Sequence, residues 1–70
     1  MKTININEYK FDGELINLDE IDLYEKYLYN PSLYLDKNKK YYFCCKKGIK
    51  SKKVVSILEI YGYDVTRVIK

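Results

Sequence analysis

The residues best equipped for chemistry lie together in Tyr41 to Val55, YYFCCKKGIKSKKVV. Cys44 and Cys45 close a short apolar run. Lys46, Lys47, Gly48, Ile49, Lys50 and Ser51 follow, and then an amphipathic segment begins. This order predicts a strand, a tight loop with a cysteine at its start, and a helix whose N-terminus faces that cysteine. In such a turn the loop's N–H groups converge above the sulfur. The helix end adds about half a positive charge. Lys46, Lys47 and Lys50 add full charges. All of these favour a thiolate over a thiol and lower the cysteine pKa. Gly48 supplies the positive φ, or the close approach, that such a loop requires. The expected product is an anion-binding cup with a nucleophile at its floor.

Successive side chains of a strand point to opposite faces, so only one cysteine can serve the cup. Cys45, nearer the loop, is the candidate; Cys44 is expected to pack as a small hydrophobe. Adjacent cysteines rarely bridge each other, because the geometry is strained. The chain has no histidine. Two cysteines alone do not make a zinc site, and the usual base of a serine or cysteine hydrolase is missing. Neither a metal nor a cofactor is called for.

The supporting elements can be read in chain order. Thr3 to Ile6 alternates weakly, as an edge strand would. Phe11-Asp12-Gly13-Glu14 is a turn, and Leu15 to Leu18 a second short strand. Asp19 is an expected N-cap for a helix through Tyr29, with Leu18 and Leu23 as its hydrophobic staple. Ile21, Tyr24, Tyr27 and Leu28 would form that helix's apolar face. Asn30-Pro31 stops it and opens a further turn through Leu35. Residues 36–40, DKNKK, read as a solvated loop. Tyr41 to Cys45 suits a buried parallel strand. Ser51 is the expected N-cap of the next helix, with Val54, Ile57, Leu58 and Tyr61 at i, i+3, i+4 and i+7 and Gly62 at its end. Val65 to Ile69 is a β-branched strand. Strand, helix, glycine turn and strand make a βαβ unit, expected to be parallel with a right-handed crossover.

Cys45-Lys46-Lys47-Gly48-Ile49-Lys50-Ser51 resembles the C-x-x-G-x-R-S active-site loop of rhodanese-like sulfurtransferases. Tyr42-Phe43-Cys44-Cys45 resembles their strand into the cysteine, and Gly62-Tyr63-Asp64-Val65 their lead into the final strand. The resemblance is strongest over 31–69, and the chain reads as one domain, 1–70, a shortened or partial member. It implies an α/β fold: a small three-layer domain with a mainly parallel sheet and flanking helices. It also implies a mechanism. Cys45 would attack a sulfane sulfur donor (thiosulfate, a polysulfide or a protein persulfide), hold the sulfur as a persulfide, and pass it to a thiol acceptor. Lys46 to Ser51 would form the cup, with Lys50 where the family usually carries arginine. The family's Asp-x-Arg-like and His-Ile-Pro-Gly-like segments have no counterpart in residues 1–30. Asn17-Leu18-Asp19-Glu20 is the nearest stretch, and a poor substitute.

Composition sets the outer bounds. Seventy residues make one small domain that buries only about 60% of its unfolded surface. No run of about 18 apolar residues is present for a membrane span, and MKTININEYK lacks the apolar stretch of a secretory signal. A cytoplasmic location is expected. Net charge is +3, unevenly spread: residues 1–36 hold eight of ten acids, and residues 37–53 hold eight of thirteen bases. The cysteine end should therefore be positive and draw anions.

Three other readings compete. The first is a catalytically weak module of the same fold that acts by binding an anion or a protein. The second is a phosphatase C-x5-R loop counted from Cys44 to Lys50. That register displaces Gly48 and lacks the bidentate arginine. The third is nucleic-acid binding by lysines interleaved with Tyr41, Tyr42 and Phe43, disfavoured because these aromatics read as a buried strand. A homodimer covering an exposed sheet edge is compatible with so short a chain.

Overall fold

The computed structural model describes residues 1–70. Four strands form one sheet: β1 (Thr3–Asn5), β2 (Glu14–Asn17), β3 (Lys40–Cys44) and β4 (Asp64–Ile69). Their order is β1-β4-β3-β2, and every pairing is parallel. The helices are α1 (Leu23–Tyr29), α2 (Pro31–Tyr34) and α3 (Ile49–Ile60), and one 3-10 turn spans Ile6–Glu8. No helix is long and apolar enough to cross a membrane.

This order, with connections of one hand, dictates the layering. β2, β3 and β4 follow one another across the sheet, so both of their crossovers must lie on one face. That face holds the main core. Phe43, Val54, Val55, Leu58 and Val65 are fully buried there, with Tyr27, Leu28 and Leu35 beside them. The β1-to-β2 connection runs the other way across the sheet and so covers the opposite face. Tyr42, Cys44 and Val68 are buried there against Ile4, Ile6 and Tyr9.

The domain is therefore not three-layered, as the resemblance implied. Helices cover one face only. Residues 6–13 must span three strand spacings of about 4.8 Å each, which leaves too little chain for a packed helix. They are pinned instead by side chains. The Tyr9 and Tyr42 rings meet edge-on at 4.8 Å, and the Tyr42 hydroxyl donates to Asp12 at 2.6 Å. This bond is the main reason the Tyr42 pKa is pushed up to about 12. Gly13 is needed for close approach, since a Cβ there would lie 2.5 Å from the Lys40 carbonyl oxygen.

Two helix starts differ from expectation. α1 begins at Leu23 rather than Asp19, behind Asp22 in a left-handed conformation (φ 65°). Asp19 is drawn away to the cysteine loop, where its carboxylate accepts the Lys46 N–H. Ile21, assigned above to the helix face, is 88% exposed as a result, whereas Leu18 is fully buried. α3 begins at Ile49 with Gly48 as its N-cap residue (φ 77°), not with Ser51. Its C-terminus closes as the sequence suggests. Gly62 is left-handed (φ 94°), and the N–H groups of Gly62 and Tyr63 return to the carbonyls of Glu59 and Leu58, a Schellman arrangement. Val54 and Leu58 are fully buried; Tyr61 is 54% exposed, and Val55 takes a core position that the stripe left out.

Phe43, the largest fully buried side chain, meets Tyr27 edge-on at 5.7 Å and couples β3 to α1. Phe43→Ala is expected to cost about 3–5 kcal/mol, which is most of a small domain's stability. Ile21→Ala should change stability by less than about 0.5 kcal/mol. Urea unfolding followed by circular dichroism measures both.

Candidate functional site

β3 ends at Cys44, and the next residue begins the loop. Strand alternation sends the Cys44 side chain to the thin back face and Cys45 to the helix face, as the spacing suggested. The loop turns at Gly48, and α3 starts at once. The third residue of α3, Ser51, thus hangs over the cysteine. Its N–H donates to Cys45 Sγ at 3.3 Å, and its hydroxyl oxygen accepts from the Cys45 thiol at 3.4 Å. That hydroxyl also donates to the Gly48 carbonyl at 3.3 Å. Ser51 is completely buried, and Cys45 is 5% exposed.

A capping serine would turn its oxygen toward the helix's own N–H groups. Gly48 now holds the cap position, and the Ser51 polar groups are directed at sulfur instead. This placement governs the thiol's acidity. Burial pushes the Cys45 pKa up. The Ser51 hydroxyl, together with the N–H groups of Ser51, Gly48 and Lys50, outweighs burial and brings it below the ordinary cysteine value. Neutral donors, rather than the lysine charges expected above, make the leading contributions. Cys44 goes the other way: burial raises its pKa, and the nearby Lys70 only partly offsets the rise.

The remaining loop residues are distributed unevenly around the sulfur. A cleft of about 350 Å³ is lined by Asp19, Cys45, Lys46, Lys47, Ile49 and Lys50. The Lys46, Lys47 and Lys50 side chains are exposed at its rim. The Lys50 ammonium lies 5.8 Å from the centre of the Tyr24 ring. Ile49 is 70% exposed and offers its methyl groups to the cleft mouth. The structure thus gathers Cys45, Gly48, Ser51 and the Lys50 N–H at the sulfur, while the lysine charges stay in solvent. No three His, Cys, Asp or Glu side chains lie close enough to share a metal ion.

Comparison with protein-family models, with curated proteins and with solved structures gives no match. The chemistry of the site rests on its own geometry.

Two residues of the site escaped the sequence reading. Asp19 places a carboxylate at the cleft and occupies the Lys46 N–H. The β2–β3 register pairs Asn17 with Cys44, which carries Asp19 to Lys46 two residues on, so strand pairing was the missing signal. Arg67 of β4 is the other. Its Nη2 donates to the Gly48 carbonyl at 3.3 Å from behind the loop. Arg67 alternates with buried Val65 on the helix face of β4. A lone arginine in that register was the available sign.

A depressed thiol pKa keeps Cys45 reactive to lower pH, and the reactivity disappears as pH falls through the folded value. The rate of Cys45 alkylation by iodoacetamide should therefore titrate with a midpoint below that of a free cysteine thiol, and Cys44 should react only after unfolding. Ser51→Ala is expected to move the midpoint up toward the free value, as read by peptide mapping across pH. Asp19→Asn keeps an acceptor for the Lys46 N–H but removes the charge. It should speed alkylation by anionic iodoacetate a few-fold, the scale of one rim charge, with little change for neutral iodoacetamide.

Proposed function

We propose that this chain is a sulfurtransferase or persulfide carrier of rhodanese-like type, with Cys45 as the sulfur-bearing nucleophile. The observation that carries the reading is the pair of Ser51 groups on the Cys45 sulfur at the start of α3, the backbone N–H donating at 3.3 Å and the hydroxyl oxygen 3.4 Å away. They favour the thiolate, and the thiolate is the nucleophilic form.

In the first step the Cys45 thiolate attacks the outer sulfur of the donor. The donor's sulfur–sulfur bond breaks, and its remainder leaves with the bonding electrons: sulfite from thiosulfate, a shorter polysulfide, or a protein thiolate. Cys45 is left as a persulfide whose terminal sulfur bears the negative charge. The loop N–H groups are placed to stabilise that charge as they stabilise the thiolate. In the second step an acceptor thiolate attacks the terminal sulfur, and the Cys45 thiolate returns as leaving group. No proton needs to be removed by a base in either step, which suits a site without histidine.

A second reading has an observation in its favour. Asp19 lies at the cleft and holds the Lys46 N–H that an incoming anion would use. A carboxylate there opposes anionic donors and suits a weakly catalytic module that acts by binding. The basic rim of Lys46, Lys47 and Lys50 would then serve as its contact surface.

Intact-mass measurement after incubation with thiosulfate or polysulfide separates the two. Gain of one sulfur atom is expected in the unmodified protein and in Cys44→Ser, and not in Cys45→Ser. An unmodified protein that gains nothing supports the binding module. Gain that is lost only in Cys44→Ser would place the sulfur on Cys44 and overturn the assignment to Cys45.

A further inference from the structure

A second basic pocket lies behind the cysteine loop, on the side away from Asp19. It has a volume of about 520 Å³ and is lined by Lys47, Lys52, Lys53 and Arg67, together with Gly48, Ile49 and Ser56. It shares only Lys47 and Ile49 with the Cys45 cleft. No carboxylate lines it. The molecule's three ion pairs join the N-terminus to Glu59, Lys2 to Asp64 and Lys40 to Asp12. All four cations of the pocket are therefore without a counter-charge.

Arg67 is under-used in a way that surface lysines are not. Its guanidinium has five donors in a planar fork. One, on Nη2, makes a long 3.3 Å bond to the Gly48 carbonyl. The Nε–H is buried with no partner. A buried donor left unmade costs free energy. The other Nη N–H groups also lack a protein partner, and an oxyanion in the pocket would meet them with charge-assisted bonds stronger than the one to Gly48.

We propose that this pocket between α3 and β4 binds a small tetrahedral dianion, a sulfur oxyanion or a phosphate, with Arg67 as the principal ligand and Lys47, Lys52 and Lys53 as the surrounding charge. The absence of any aromatic residue from the lining argues against a stacked nucleic-acid base, since single-strand binding relies on such platforms. The site is separate from sulfur transfer at Cys45 and does not require it.

Arg67 is the only arginine in the chain, so its Nε–H gives one assignable side-chain signal in a nitrogen–proton spectrum. The full-length protein is titrated with sodium sulfate at ionic strength held constant with chloride, and with phosphate and thiosulfate in parallel to distinguish the sources. Sulfate carries no sulfane sulfur, so the outcome is independent of Cys45 chemistry. A saturable shift of the Arg67 Nε–H and of the Lys52 and Ser56 amides is expected, half-complete in the millimolar range. The double variant Lys52→Gln/Lys53→Gln, at exposed positions and checked for an unchanged circular dichroism spectrum, should weaken it by about tenfold. A shift that never saturates overturns the site. So does one that is unchanged in the double variant, or one confined to the Lys46 and Lys50 amides. Oligonucleotide binding at these residues with no response to any of the three anions would likewise replace the small-anion assignment.

Discussion

The contact from the Ser51 N–H to the Cys45 sulfur, 3.3 Å across six residues, ties the central strand to the principal helix. It exists because Gly48 turns left-handed (φ 77°) and so starts α3 without a spacer. Any residue with a Cβ at that position would be strained by its φ and would also meet Arg67 Nη2 at 2.7 Å. The fold therefore delivers a helix N-terminus to a cysteine, and the groups at that terminus draw the thiol pKa down. Burial alone would have made Cys45 as inert as Cys44. Two neighbours in sequence, one peptide bond apart, have pKa values displaced in opposite directions because one faces a helix start and the other an apolar wall.

The small size of the chain explains the asymmetry around this site. Both helical crossovers lie on one face, and the opposite face is closed by eight residues and a tyrosine pair. The core consequently concentrates under α1 and α3, where Phe43, Leu58, Val54 and Val65 hold β3 in register. The loop rises from the end of this rigid strand. Asp19 approaches it from one side and Arg67 from the other. The Cys45 turn is thus held between a carboxylate and a guanidinium, each bonded to its backbone.

Much of this was legible in the residue pattern. The four strands follow from short apolar and β-branched runs, the opposite facing of Cys45 and Cys44 from strand alternation, and the closing turn at Gly62 from its glycine. The family resemblance implied a third layer, and chain length overrode it: residues 6–13 hold one 3-10 turn and are too few to form an α-helix while crossing the sheet. The start of α1 was misplaced because Asp19, an excellent cap by residue type, finds a better donor in the Lys46 N–H, which only strand register brings near. The cap of α3 was misplaced for a similar reason. Ser51 has the chemistry of a cap, yet Gly48 is the residue whose backbone can make the turn. The lysines dominate the loop by composition, but long charged side chains extend to water, and the short neutral donors reach the sulfur.

The central claim is that Cys45 carries sulfur which can leave again, and the most direct measurement is a single round of discharge. The protein is loaded with polysulfide, freed of excess reagent, and mixed with an acceptor thiol or cyanide while intact mass and acceptor product are followed together. The added sulfur is expected to depart from Cys45 and appear on the acceptor in equal amount, leaving free thiol. Sulfur that never loads on Cys45, or that loads and does not leave, would contradict it.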